Sequence, residues 1–175
     1  MRTLGYALLT LAGLALLALG ISVFTWRTAE PERQLRADLV RVDKSARRLE
    51  LLRGGEVIRR YHVSFGARPR GHKQQEGDER TPEGRYRIDG RNARSRYYKS
   101  LHISYPNAED RRAARQRGVS PGGDIMIHGM PNGWGWAWLF LKPFNWTDGC
   151  IAVSDREMDE IWHAVPVGTP IEIRP

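Results

Sequence analysis

His128 and Cys150 are the residues of this 175-residue chain whose types and settings suit covalent chemistry. Cys150 is the single cysteine and follows Gly149; His128 precedes Gly129. Both fall at the ends of stretches that read as strands. The thiolate is the nucleophilic form of cysteine, so a catalytic cysteine needs a base or cation nearby. His128 is the candidate base. The chain between the two must go out and return, and two strands joined by a long loop do that. Gly149 permits a sharp turn and a close approach of substrate to the backbone. The amides of Gly149 and Cys150 could then hold a developing oxyanion. Taken alone, Cys150 also fits a small buried hydrophobe, and His128 a structural histidine. Their joint placement at glycine-flanked strand ends favours chemistry.

Other groupings offer less. His62, His72, His102 and His163 lack metal-ligand spacing, and one cysteine argues against a zinc site. No phosphate-binding glycine loop occurs, so neither a metal nor a cofactor is expected. His102 shares a strand with Ser104 and Tyr105 and is either structural or part of the cleft. Between His128 and Cys150 runs an aromatic loop, Gly133 to Phe140 and then Lys142 to Trp146. Trp134, Trp136 and Trp146 are candidates for lining a substrate cleft, with the loop as a packed lid. Stacking on sugar or dipping into lipid are the alternatives.

Several elements must position these groups. Leu39 to Asp43 alternates like a half-buried strand. Arg48 to Leu52 and Val57 to Phe65 follow, joined by a Gly54-Gly55 hairpin turn. Gly66 to Gly84 reads as a loop, with a Pro82 turn near its end. Arg85 to Asp89 and Leu101 to Tyr105 are further strands. Asn107 caps a surface helix that stops at Gly118. Asp124 to His128 is a central strand that delivers the histidine to its end. Cys150 to Val153 is a short strand. Ser154 then opens a helix, with Glu157 completing a capping box. Met158, Ile161, Trp162 and Val165 form its apolar face, and Ile171 to Ile173 closes the chain. The expected fold is mainly β with minor helices, a sandwich or open barrel.

The length allows one compact domain after an N-terminal segment. The charge of +8 by itself suits a polyanionic partner: nucleic acid, anionic lipid or an acidic polymer. The basic residues are scattered in no single patch, and no nucleic-acid partner is expected. From Thr3 to Trp26 the sequence carries no charge. At about 1.5 Å per residue a helix of that stretch reaches roughly 36 Å, enough to cross a hydrocarbon core of about 30 Å. Residues 1–28 therefore read as a signal anchor in the inner membrane, with a cleaved signal peptide as the rival. Residues 29–37 read as a linker and 38–175 as the domain. Arg27, Arg33, Arg36 and Arg41 follow the apolar stretch and only Arg2 precedes it, which by the positive-inside rule keeps the domain in the cytoplasm. The apolar stretch starting almost at Met1 argues instead for export.

The sequence Ile127-His128-Gly129, followed by Thr147-Asp148-Gly149-Cys150-Ile151, resembles the His-Gly and Ser/Thr-x-Gly-Cys signature of the L,D-transpeptidase catalytic domain, the YkuD type. Val42 to Ser45 with the Gly54-Gly55 hairpin, Lys73 to Asp78 with Thr81 to Gly84, and Ser100 to Asn107 resemble it too. The resemblance implies a β-rich fold and ping-pong acyl transfer on peptidoglycan stem peptides. By that resemblance Cys150 is the nucleophile and His128 the base and acid. Gly129 lends its carbonyl to orient the imidazole, and Gly149 and Thr147 support the thiol. It also implies a periplasmic domain, with a stem-peptide amine or an outer-membrane-tethered protein as acyl acceptor. Two positions depart from the family pattern. Ala152 stands where many members carry an arginine that can hold a substrate carboxylate. Asp148 stands where many carry His or Arg, and a carboxylate there raises a thiol pKa. Arg85, Arg96 and Arg156 are candidate substitutes. The altered pocket keeps a hydrolytic variant in play, one that trims peptidoglycan or detaches a tethered protein. A non-catalytic peptidoglycan-binding protein is the remaining alternative.

Overall fold

The alternating residues of Leu39–Asp43 form strand β1, with Val40 and Val42 buried. The computed structural model describes residues 36–175, which form one compact unit. The expected signal segment 1–28 and the linker up to residue 35 lie outside the described residues. Among the described residues no helix is long and apolar enough to cross a membrane.

β2 (Arg48–Arg53) pairs antiparallel with β1 and with β3 (Glu56–His62). The β2–β3 turn uses Gly54 and Gly55 at φ 58° and 84°, a conformation glycine adopts without a steric cost. β4 (Gly84–Ser95) and β5 (Tyr98–Ile103) form a long hairpin, β6 is Met126–His128, β7 is Ile151–Ala152 and β8 is Pro170–Arg174. The sheet order is β3-β2-β1-β8-β4-β5-β6-β7. The β1–β8 and β6–β7 pairs are parallel and the rest antiparallel. The segment after β3 returns to the opposite edge. Ser64 bridges Ala152 of β7, and Gly66 bridges Thr147. The expected sandwich or open barrel is therefore one curled sheet whose two edges meet at the cysteine turn.

Among the described residues three α-helices accompany the sheet. α1 (Ala108–Arg117) carries the Asn107 cap and ends at Gly118 with φ 68°. α2 (Trp138–Leu141), preceded by a 3-10 turn at Gly135–Ala137, lies within the aromatic loop. α3 (Asp155–Ala164) carries the Ser154–Glu157 capping box and buries Met158, Ile161 and Ala164. It packs over β5 and β6. The main core joins these residues to Leu101, Ile127 and Ile151, and Met130, Ala137 and Trp138 form a smaller cluster under the aromatic loop.

Two strand readings needed correction. β4 extends to Ser95, past the expected Asp89 end, and β5 starts at Tyr98 instead of Leu101. The polar run Arg91 to Arg96 gave no apolar alternation, because most of this projecting hairpin faces solvent. The reverse holds at Val63 to Phe65. These residues are buried, yet they lie beyond the end of β3, and among them only Ser64 makes a bridge, an isolated one to Ala152.

Candidate active site

The parallel pairing of β6 and β7 sets the relative positions of the histidine and the cysteine. Ile127 pairs with Ile151 and His128 with Ala152. Side chains alternate across a sheet. Ile127, Ile151 and their β5 neighbour Leu101 are fully buried in the core. His128 therefore lies on the opposite face. Cys150, one residue before β7, falls opposite Met126 and so shares the face of His128. The same register places His102 beside Met126 and Ser100 beside His128.

The turn that carries the thiol is tied down on several sides. Thr147 Oγ1 donates to the Cys150 carbonyl at 2.7 Å and accepts from the Gly149 amide at 3.2 Å. The Thr147 amide donates to the Phe65 carbonyl, and the Ala67 amide to the Thr147 carbonyl. Ser64 and Ala152 exchange both backbone hydrogen bonds. Gly149 has φ 126°, and a β-carbon there would lie 2.6 Å from the Arg80 carbonyl oxygen. Glycine is therefore required twice over, by dihedral and by space. The underlying loop is fixed by two buried lysines. Lys73 pairs with Asp78 at 2.8 Å. Lys44 pairs with Glu83 at 2.8 Å and donates to the Gly71 and Thr81 carbonyls.

His128 is buried at 4% exposure. Its Nδ1 lies 2.6 Å from the Gly129 carbonyl oxygen. A carbonyl only accepts, so Nδ1 carries the proton and Nε2 keeps its lone pair. The imidazole packs 4.6 Å from the Tyr97 ring and 6.0 Å from the Trp146 ring, centre to centre. Burial pushes the His128 pKa down, against the Gly129 hydrogen bond. Burial also pushes the Cys150 thiol up, and Asp148 and Asp124 add to that. The Met126 amide and Lys73 pull it the other way. Both shifts favour neutral forms, so the resting pair is a thiol and a neutral imidazole. The thiol donates to the Asp124 carbonyl at 3.5 Å.

The remaining predicted residues separate into two groups. Trp146 lies against His128. Trp134 and Trp136 are 56% and 63% exposed and stack on each other at 5.7 Å. His102 lies 2.5 Å from Asp89 through Nδ1, and its Nε2 is 3.8 Å from an Asp124 oxygen. Sequence reasoning missed Tyr97, Asp124 and Asp155. Asp155 Oδ1 accepts the Met130 amide at 2.8 Å. A β-carbon at Gly129 would lie 2.7 Å from that same oxygen. Asp155 carries no signal of its own beside the Ser154 cap, and Tyr97 lies in a stretch without alternation. Among the described residues no group of three His, Cys, Asp or Glu side chains is placed to hold a metal ion.

A curled mixed sheet that brings a glycine-flanked histidine and cysteine to one face defines a class, and comparison with known proteins agrees with it. The family model of the L,D-transpeptidase catalytic domain matches residues 37–173. The chain belongs to that family. It is 33% identical over 97 residues to YafK of Escherichia coli, which bears a provisional L,D-transpeptidase name, covering 54% of this chain and 32% of YafK. Among solved structures it is similar to the helical cell shape determining protein Pgp2 of Campylobacter jejuni, at 26% identity and TM-score 0.58, covering 77% of this chain and 46% of Pgp2. Bd1075 of Bdellovibrio bacteriovorus shares the fold at TM-score 0.55 and 23% identity, over 79% of this chain and 48% of that one. The chain thus spans about a third of YafK and under half of Pgp2.

Proposed function

We propose that this protein is a peptidoglycan L,D-transpeptidase in which Cys150 is the nucleophile and His128 the general base and acid. The observation that carries the reading is the His128 tautomer: Nδ1–H is held by the Gly129 carbonyl, and Nε2 is left basic on the face that Cys150 shares. Nε2 takes the thiol proton as sulfur attacks a stem-peptide carbonyl, and the Gly149 and Cys150 amides receive the oxyanion. Collapse breaks the C–N bond, the imidazolium gives its proton to the departing amine, and a thioester remains. An incoming amine then loses its proton to His128 as it displaces the sulfur. A stem-peptide amine gives cross-links; an amine of an outer-membrane-tethered protein gives attachment. The substrate sets a periplasmic location, and the uncharged stretch Thr3 to Trp26 supplies an inner-membrane anchor or a signal peptide.

Hydrolysis is the second reading, and Ala152 favours it. The residue is fully buried between Ser64 and His128 and brings no cation to a donor carboxylate. Water would then replace the amine in the second half-reaction. Incubating purified protein with disaccharide tetrapeptides separates the two. New dimers indicate transfer, and tripeptides without dimers indicate hydrolysis. Unchanged substrate, together with a Cys150 that a carbapenem-type β-lactam does not acylate, would sink both.

A further inference from the structure

The carbonyl that orients His128 belongs to a peptide unit whose other end is also engaged. Gly129 C=O accepts from His128 Nδ1 at 2.6 Å, and the N–H of the same unit, on Met130, donates to Asp155 Oδ1 at 2.8 Å. Imidazole, peptide and carboxylate stand in series. We propose that Asp155 is a positioning residue for His128 that acts through the Gly129–Met130 peptide. The inference rests on the reading of His128 as the base.

The physical ground is cooperative polarisation. A peptide that donates to a carboxylate has a more electron-rich carbonyl, and linked hydrogen bonds strengthen one another. The Gly129 oxygen then holds Nδ1–H more firmly, and better stabilises the imidazolium formed when His128 takes the thiol proton. In serine-protease triads a carboxylate bonds the histidine directly; here one peptide intervenes, so the effect is smaller.

Three features show that Asp155 is built for this contact and not for capping. The cap of α3 is satisfied without it: Ser154 Oγ accepts the Glu157 amide, and Glu157 Oε2 accepts the Ser154 amide. Its second oxygen faces Gly135, where a β-carbon would lie 2.6 Å from Oδ2. The helix start accommodates a negative charge at that point. Glycines at 129 and 135 make room for the carboxylate.

Titratable groups near this relay are few. Tyr97 faces His128 from the β4–β5 hairpin, and Cys150 shares its face. Asp124, Asp148 and Lys73 act on the thiol. Tyr98 lies near Asp155, with its hydroxyl donated to Asp159. Asp155→Asn leaves all of them in place and keeps an oxygen acceptor for Met130, removing only the charge.

The test is NMR titration of the His128 ring nitrogens, with the pH profile of kcat/KM alongside. In wild-type protein His128 is expected as the Nδ1–H tautomer. In Asp155→Asn its pKa falls, the acid limb of the profile moves to lower pH, and kcat/KM at neutral pH drops roughly 3–10-fold, with KM held and the melting temperature near wild type. Asp155→Ala, which also loses the acceptor, drops further, by roughly 10–100-fold. An Asp155→Asn protein with wild-type His128 pKa and tautomer overturns the proposal and leaves Asp155 a loop support only. A lowered His128 pKa in a protein without acyl transfer keeps the relay and defeats the functional reading.

Discussion

Gly66 lies far from Cys150 in sequence, yet a single methyl group there should disable the enzyme. A β-carbon at Gly66 would lie 2.0 Å from the Glu79 carbonyl oxygen and 2.9 Å from the Gly149 Cα. Unstrained carbon contacts lie near 3.5 Å, so the backbones must separate by roughly 1 Å or more. Neither neighbour is free to move. The Glu79 oxygen accepts the Arg68 amide at 3.2 Å, and next to it Asp78 is anchored by Lys73. Gly149 is held by Thr147 Oγ1. Overpacking of this kind costs about 1–3 kcal/mol, and at about 2–4 °C per kcal/mol the melting temperature should fall by roughly 2–12 °C. The larger effect is on rate, because a 1 Å misplacement of a reacting group can cost about a hundredfold. Circular dichroism melting and the rate of Cys150 acylation by a carbapenem-type β-lactam read the two quantities. Gly123→Ala is the control, since nothing lies within 4 Å of its β-carbon position. A Gly66→Ala protein that melts and acylates like wild type would show that the back-to-back packing of Gly66 and Gly149 does not place the thiol.

Three further outcomes are expected. Thr147→Val keeps the shape but strands the Gly149 amide and the Cys150 carbonyl, so thermal unfolding should report a loss of about 1–3 kcal/mol; unchanged stability would mean those groups find other partners. Burial holds the Cys150 pKa above its ordinary 9.0, with Asp148 adding to it. The stabilisation this gives is complete below pH 9.0 and is lost as pH rises through the folded value. Iodoacetamide alkylation of Cys150 should therefore keep accelerating past pH 9, and in Asp148→Asn the curve should move to lower pH; a curve unmoved by that change removes Asp148 from the thiol's electrostatics. Of the three arginines considered as carboxylate clamps, Arg85 pairs with Glu172 and Arg156 with Glu160. Arg96 adjoins Tyr97, whose ring covers His128. Arg96→Ala should raise KM for a tetrapeptide roughly tenfold, as expected for a lost charge-assisted contact, while Arg85→Ala should leave it alone; equal effects would reject the assignment.

The legible parts of this chain were those where local pattern and final environment agree. The capping box at Ser154 and Glu157, the Asn107 cap and the Gly54-Gly55 turn formed as their residue types require, because each is decided within a few residues. The His128 and Cys150 strand ends were legible for the same reason. What stayed hidden depends on pairing between distant segments. Nothing near Ser64 announces that it bridges Ala152 and so joins the sheet's two edges. Nothing near Asp155 announces that its carboxylate reaches a peptide more than twenty residues earlier. The β4–β5 hairpin was hidden because its tip is polar, and with it went Tyr97, which reaches the imidazole only through that projection.

The departures at Asp148 and Ala152 take on a definite meaning once the edges of the sheet are seen to meet. The residue two after the cysteine lies opposite His128 on one side and Ser64 on the other, and it is fully buried. The Ser64 contact is made by the Ala152 backbone alone, and the Ala152 side chain lies on the face of His128 and Cys150. Ala152 thus offers that face a small apolar side chain, while its backbone bonds to Ser64 join the sheet's edges. Asp148, by contrast, is exposed; it acts on the thiol through charge and holds no part of the turn by a side-chain bond. The two departures therefore differ in kind. One leaves the face of the pair without a charge at residue 152, and the other adds its charge to the burial that raises the thiol pKa. Two further segments border the imidazole, the β4–β5 hairpin and the aromatic loop. Both converge on His128, through Tyr97 and Trp146.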